Sequence, residues 1–316
     1  MPGMARELRP ADECLSKILP MSVGKENVKR SLYVGLANAG RLAGLGHLRG
    51  ARRSNTLRVL MYHKITDTRL NSIAVSVASF AEQQRFLYEY YTVVSLDQVR
   101  RWILEDEPLP SRAVLLTFDD GYRDNLLNAY PILAQYRHPA VLFVPTSFIG
   151  SREALPHDRH LPSMNPTLSW DEIREMLDLF EIGAHGCTHR VLTRIPGKEA
   201  RDEIVHSKHE IEAHLDVNVR AFSYPKGSIG DFSPELEEYV RDAGFDLAFT
   251  TLPGIVRRKR VNPLALRRHN VEDYGLAYFR ALLDGSADLL AIKDTRPGYW
   301  FKQLLQRRAT ADGSRF

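Results

Sequence analysis

Cysteine is scarce in this 316-residue chain: Cys14 and Cys187 are the only two, far apart and in unlike contexts. Two such residues make no disulfide framework, and their scarcity fits a reducing compartment. Long hydrophobic runs are missing as well. No apolar stretch approaches the ~20 residues needed to span a bilayer, and the N-terminus carries no signal-peptide-like apolar core. Strong charge of one sign is absent, since the net charge is only +4, which gives no argument for a nucleic-acid partner. There is no Gly-rich dinucleotide fingerprint, no internal repeat and no low-complexity segment. These absences leave a soluble, cytoplasmic globular protein as the expectation, long enough for one large core or two modest ones.

Acid is nearly absent from one stretch. Between Lys25 and Arg53 the only carboxylate is Glu26, against Lys29, Arg30, Arg41, Arg49, Arg52 and Arg53. Leu32, Leu36, Ala39 and Ala43 recur at helical spacing within it. A basic amphipathic helix of this kind lies on an anionic membrane surface, or packs on the main domain with its charges solvated. Gly35, Gly40, Gly44 and Gly46 weaken it as a free helix by about 1 kcal/mol each. Residues 1–56 are therefore read as a basic extension, with peripheral contact at the inner membrane face through residues 25–53 as one expectation.

From Leu57 the pattern changes to alternating strands and helices. Strands are expected at 57–62, 92–95, 114–118, 140–144, 181–184, 219–224, 247–251 and 264–268. Helices are expected at 80–90, 96–104, 123–136, 170–179, 198–215, 234–243 and 273–283, with Ser95 and Ser169 as N-caps. Repeated alternation implies right-handed βαβ units around a parallel sheet. With about seven or eight such units and no dinucleotide fingerprint, a closed barrel over 57–285 is favoured over an open sheet, and it would bring strand-end motifs to one rim. Residues 286–316 read as a basic tail. The 147–167 connection is longer than compact α/β loops need. Its His157 and His160 belong either to a solvated loop or to a lid over substrate.

Two motifs stand at expected strand ends. Val114–Phe118 is an apolar run that ends in Asp119, Asp120 and Gly121. Adjacent side chains on a strand diverge, so only a turn at its end could bring both carboxylates to one site. About 65 residues later come His185 and His189, four apart, as a metal requires of two imidazoles on one turn. Asp120, His185 and His189 would complete a three-ligand set with a position left open for water. Cys187 lies two residues from each histidine and is read as packing. Phe222–Gly227 is a strand end with a Pro-Lys-Gly turn, whose main-chain N–H groups are candidate oxyanion donors.

Taken together, these residues resemble the polysaccharide deacetylases of the NodB-homology type, carbohydrate esterase family 4, over roughly Leu57 to Leu283. Thr117-Phe118-Asp119-Asp120-Gly121-Tyr122 is similar to the family's first motif and His185-Gly186-Cys187-Thr188-His189 to its second. The resemblance implies a distorted (β/α)7-type barrel and a divalent metal, usually Zn2+ and otherwise Co2+, Ni2+ or Mn2+, on Asp120, His185 and His189. It further implies Asp119 as general base and an oxyanion or substrate site about Lys226, Tyr224, Pro225 and Tyr122. Met61-Tyr62-His63 resembles the strand that ends in the general acid of some members, and His269 is the competing acid.

Three departures accompany the resemblance. Gly186 stands where a Ser or Thr would help set the loop, Lys226 where an aromatic wall is usual, and Ser223 where many members carry the arginine that orients the base. The expected activity is removal of an N-acetyl, or less readily an O-acetyl, group from a sugar or glycan intermediate. The alternatives are an amidase acting on a small non-sugar amide and a non-catalytic glycan-binding protein. Oligomeric state is not legible.

Overall fold

The computed structural model describes residues 31, 33–35, 55–68, 73–161 and 166–288. Its first strand, β1 (Thr56–Tyr62), is buried at all seven positions, the mark of a strand covered on both faces. Two short strands, β2 (Lys64–Ile65) and β3 (Ala74–Val75), pair beside it and lead into helix α1 (Val77–Tyr90), capped by the Ser76 hydroxyl. Strand β4 (Thr92–Val93) and helix α2 (Leu96–Leu104) follow, α2 opening on a Ser95–Gln98 capping box.

Strand β5 (Ala113–Asp119) is again wholly buried. The helix expected over 123–136 is divided. A π turn at Asn125–Ala129 precedes α3 (Tyr130–Tyr136), in whose first turn Pro131 sits, with no N–H to donate. The buried Asn125 side chain donates to the His63 carbonyl at 2.8 Å and fixes the end of β1.

After β6 (Ala140–Val144), the helix expected over 170–179 is only one turn and a half, α4 (Trp170–Arg174). Tight turns, with Met176 N–H to Ile173 O and Leu179 N–H to Met176 O, then deliver the chain to β7 (Phe180–Ala184). Helix α5 (Gly197–Leu215), strand β8 (Ala221–Ser223), helix α6 (Pro234–Asp242) and strand β9 (Leu247–Phe249) complete the repeat. The end of the domain comprises β10 (Val256–Arg257), β11 (His269–Asn270) and α7 (Leu276–Asp284).

Strands β1, β5, β6, β7, β8 and β9 are neighbours in that order, all parallel, with β10 antiparallel on β1. The expected strand at 264–268 closes the ring. Leu266 N–H bonds Ala248 O and Thr250 N–H bonds Leu266 O, both at 2.8 Å, and β11 then pairs in parallel with Leu60 and Met61 of β1. The barrel has seven staves, within the seven or eight units that the alternation implies.

Alternate residues divide the core in two. Leu57, Val59, Leu115, Val141, Phe143, Ala221, Leu247, Phe249 and Leu266 fill the barrel. Leu60, Tyr62, Leu116, Phe118, Leu142, Ile182, Phe222 and Ala248 pack outward on the helices. Gly183 faces the Phe143 ring so closely that any Cβ would collide with it.

Packing extends past the expected boundary at 285: Ala287 is buried, and Asp288 bonds Arg58 through both carboxylate oxygens. Of the basic 25–53 segment, Tyr33 and Val34 rest on a cluster with Tyr274, Tyr278 and Leu282. Apart from Ser31 and Gly35, the rest of that segment, Cys14 and the tail beyond Asp288 lie outside the described residues.

Candidate active site

The strand ends bring His63, Asp119, Asp120, His185 and the 223–227 turn to one rim. Odd positions of β5 face inward, so Asp119 points into the barrel mouth above Thr117. Asp120 would point away on a continuing strand. Instead its φ is +77°, and the left-handed turn swings its carboxylate back beside that of Asp119. Of seven described non-glycine residues with positive φ, Asp120, His189 and Lys226 fall on this rim. Such backbone costs about 1–3 kcal/mol each and persists where the surroundings enforce it.

The histidines converge on Asp120. His189 Nε2 lies 3.2 Å from Asp120 Oδ1 and 3.2 Å from His185 Nε2, with His185 Nε2 3.7 Å from the same oxygen. His185 donates from Nδ1 to the Ser223 carbonyl at 2.7 Å, so its Nε2 bears the lone pair that faces the cluster. Burial pushes the His185 imidazole down to about 4, against the pull of Asp119, and keeps that lone pair free. Asp120 is buried and, among the described residues, its Oδ1 accepts no hydrogen bond. Burial alone would raise its carboxyl, but His189 and His157 hold it well below the ordinary carboxylate value.

A buried, ionised oxygen with no donor, facing two imidazole nitrogens, fits a divalent cation. The ligand atoms of Asp120, His185 and His189 all lie within 4.8 Å of one another. Cys187 is turned away: its thiol donates to the Glu203 carbonyl at 3.5 Å, and burial pushes it up to about 11.

The histidine turn is held by a residue that the motifs do not include. Buried Glu203, from α5, accepts the main-chain N–H groups of Cys187 (2.7 Å) and Thr188 (2.8 Å) and the Thr188 hydroxyl. Gly186 has φ +72°, and a Cβ there would sit 3.1 Å from Glu203 Oε2. The missing hydroxyl after His185 is thus replaced by a carboxylate from the next helix.

Asp119 also has a partner that the sequence reading missed. Arg268, wholly buried, donates from Nη1 to Oδ1 and from Nη2 to Oδ2, each at 2.7 Å. It also bonds Ser223 Oγ (2.8 Å), Thr117 Oγ1 (3.2 Å) and the Thr250 carbonyl (3.0 Å), between the Phe143 and Phe249 rings. Burial raises the Asp119 carboxyl, and Arg268 and His185 more than offset it, so the group stays below its ordinary value. Ser223, where an orienting arginine is usual, leaves room for an arginine from another stave.

His63 lies against both carboxylates. Burial lowers its pKa, opposed by Asp120 and then Asp119, and its Nδ1 has no hydrogen-bond partner among the described residues. The rival His269 is not at this rim. It pairs with Leu60, three residues below His63, and its Nε2 accepts from Arg58 Nη1 at 2.7 Å on the outside of the barrel. Burial and then Arg58 push it down to about 3, so it is a neutral structural histidine.

Tyr224 is likewise corrected. Alternation in and after β8 turns Ser223 inward and Phe222 and Tyr224 outward, and Tyr224 donates its hydroxyl to Leu264 O at 3.1 Å in the outer core. Tyr122 is 1% exposed and packs with Phe148 and Leu155 rather than lining an open subsite. Pro225 is buried near the Gly186 turn, whereas Lys226 is exposed at the rim. His160 is exposed, but His157 of the same loop reaches the site, its Nε2 3.4 Å from Asp120 Oδ2.

The polysaccharide deacetylase family profile matches residues 106–248, which carry both motifs. Residues 106–248 thus carry the signature of the polysaccharide deacetylases. The chain is accordingly a hydrolase of the carbohydrate deacetylase class. It is 27% identical over 204 residues to the Bacillus subtilis (strain 168) protein YxkH, covering 64% of this chain and 67% of that one. It is 24% identical over 248 residues to the poly-β-1,6-N-acetyl-D-glucosamine N-deacetylase of Escherichia coli (strain K12), covering 66% of this chain but 36% of that protein. The chain therefore spans about a third of the length of that relative. Its fold is similar to IcaB from Ammonifex degensii, with TM-score 0.63 and 23% identity over 74% of this chain and 98% of that one.

Proposed function

We propose that this deacetylase removes the acetyl group from N-acetylated sugar units, N-acetylglucosamine in a glycan being the favoured class, with a divalent cation of the zinc type. The observation that carries the reading is the convergence of Asp120, His185 and His189 beside an Arg268-clamped Asp119. The similarity to the poly-β-1,6-N-acetyl-D-glucosamine N-deacetylase of E. coli supports the choice of substrate.

A cation on the three ligands would supply Lewis acidity toward an amide carbonyl and make nearby water more acidic. The remaining chemistry belongs to side chains and main chain. Arg268 keeps Asp119 ionised and fixes both its oxygens, so the base is ready to take a proton from the attacking water. The Lys226 main-chain N–H donates to the oxygen on which negative charge develops. His63, facing the carboxylates from β1, gives a proton to the departing amine. Work at an inner membrane face through residues 25–53 is part of the proposal, and it rests on the charge of that segment alone.

Acetate release tests the reading. With zinc present, N-acetylglucosamine oligomers should yield acetate and free amine. Acetate from small aryl acetamides but none from the oligomers would point instead to a non-sugar amidase, and acetate only from O-acetylated sugars to an esterase.

A further inference from the structure

Residues of the 147–167 connection reach the cluster around Asp120. A chain of buried polar groups runs from the end of β1 to a metal ligand. Lys64, in β2, is 2% exposed and meets Asp158, also 2% exposed, at 2.6 Å. The ammonium lies 4.5 Å above the Tyr122 ring. Tyr122 donates its hydroxyl proton to Asp158 Oδ2 at 2.9 Å. That hydroxyl has a single proton, so its oxygen, 2.8 Å from His157 Nε2, can only accept there. His157 therefore carries its proton on Nε2, and the same N–H faces Asp120 Oδ2 at 3.4 Å.

The direction of these bonds matters for Asp120. Its Oδ2 meets the His157 N–H, while its Oδ1 is left, among the described residues, without a donor toward His185 and His189. Burying a lysine and an aspartate together stabilises little by itself, because desolvation cancels much of the attraction. What such a pair does well is fix a register. Here it fixes the loop with Leu155 packed on Tyr122 and the His157 ring 5.3 Å from that of His189.

We propose that His157 is a positioning residue for Asp120: it occupies Oδ2 so that Asp120 presents Oδ1 alone to the cation, and the Lys64–Asp158–Tyr122 clamp holds it there. The inference rests on the reading of Asp120, His185 and His189 as the metal site. Donors around a ligating carboxylate typically change metal affinity by about 10–100-fold when removed.

The test is zinc affinity, measured by competition with a chromogenic chelator, on full-length wild type, His157→Ala and His157→Gln, with thermal melting of each metal-free protein alongside. A glutamine keeps an N–H donor near the place of Nε2. Wild type should bind about one zinc per chain, His157→Ala should bind about 10–100-fold more weakly, and His157→Gln should recover most of the loss. Metal-free melting should stay unchanged in both variants. Zinc affinity in His157→Ala equal to wild type overturns the proposal. So does an equal loss in both variants accompanied by lower melting of the metal-free protein, which would mark a packing residue. If wild type itself binds no zinc, the metal-site reading fails first, a result separable from the other two.

Discussion

Arg268 and Asp119 meet through two parallel hydrogen bonds of 2.7 Å inside the barrel, 149 residues apart in the chain. The fork fixes the carboxylate plane as no lysine could. Arg268→Lys should keep the charge and the fold yet lose on the order of 100-fold in kcat, through misorientation of the base. Arg268→Met leaves the buried Asp119 without its principal counter-charge. Its pKa should then rise, and because the base acts ionised, the acid limb of the pH–rate profile should move to higher pH. An unmoved acid limb in Arg268→Met would separate Asp119 from the proton transfer.

His63 should matter in proportion to the leaving group. His63→Ala should lose about 10²–10⁴ in kcat on an N-acetyl sugar. It should lose far less on an aryl acetate, whose leaving group needs no proton. Equal losses on both substrates would make His63 a structural residue.

Glu203 and Gly186 form one device. Gly186→Ser, the residue type common at that place, puts a Cβ into left-handed backbone and against Glu203 Oε2. It should destabilise by about 1–2 kcal/mol and weaken zinc binding by displacing His189. Denaturant unfolding with a metal titration checks this, and a Ser variant as stable as wild type would show that the turn tolerates the side chain.

His269 should appear in the pH dependence of stability rather than of rate. Folded, it is held down to about 3, first by burial and then by Arg58, with Asp288 opposing and the Gly254 carbonyl taking its other N–H. Unfolded, it titrates near 6.5. The unfolded state thus binds the extra proton between these values, and the contribution is complete above about 6.5 and lost as pH falls. The slope is about 1.4 kcal/mol per pH unit. Urea unfolding between pH 6 and 4 should show a slope smaller by about one proton in His269→Gln, and identical slopes would contradict the assignment.

The seven-stave barrel was legible because strands buried on both faces read as unbroken apolar runs. The Asp119–Asp120 and His185–His189 pairs were legible because each sits at a strand end. Arg268 was not. In the sequence it reads only as a neighbour of His269, while in the barrel successive residues face opposite ways and the two never share an environment. Tyr224 was misread for the same reason, its odd-numbered neighbour Ser223 taking the inward place. Glu203 carries no local pattern, and His157 reads in the sequence only as part of a solvated loop or a lid. They act by reaching a turn or a carboxylate that the fold brings near, and only the packing of α5 and the Lys64–Asp158 pair reveals them.

The most direct test of the central claim is a metal titration of acetate release from N-acetylglucosamine oligomers, starting from chelator-stripped enzyme. The account predicts negligible turnover in the stripped protein and recovery that saturates at about one zinc per chain. His185→Ala and His189→Ala should fail to recover at the same zinc concentration. Full turnover by the stripped wild type, or equal recovery in either histidine variant, would contradict it.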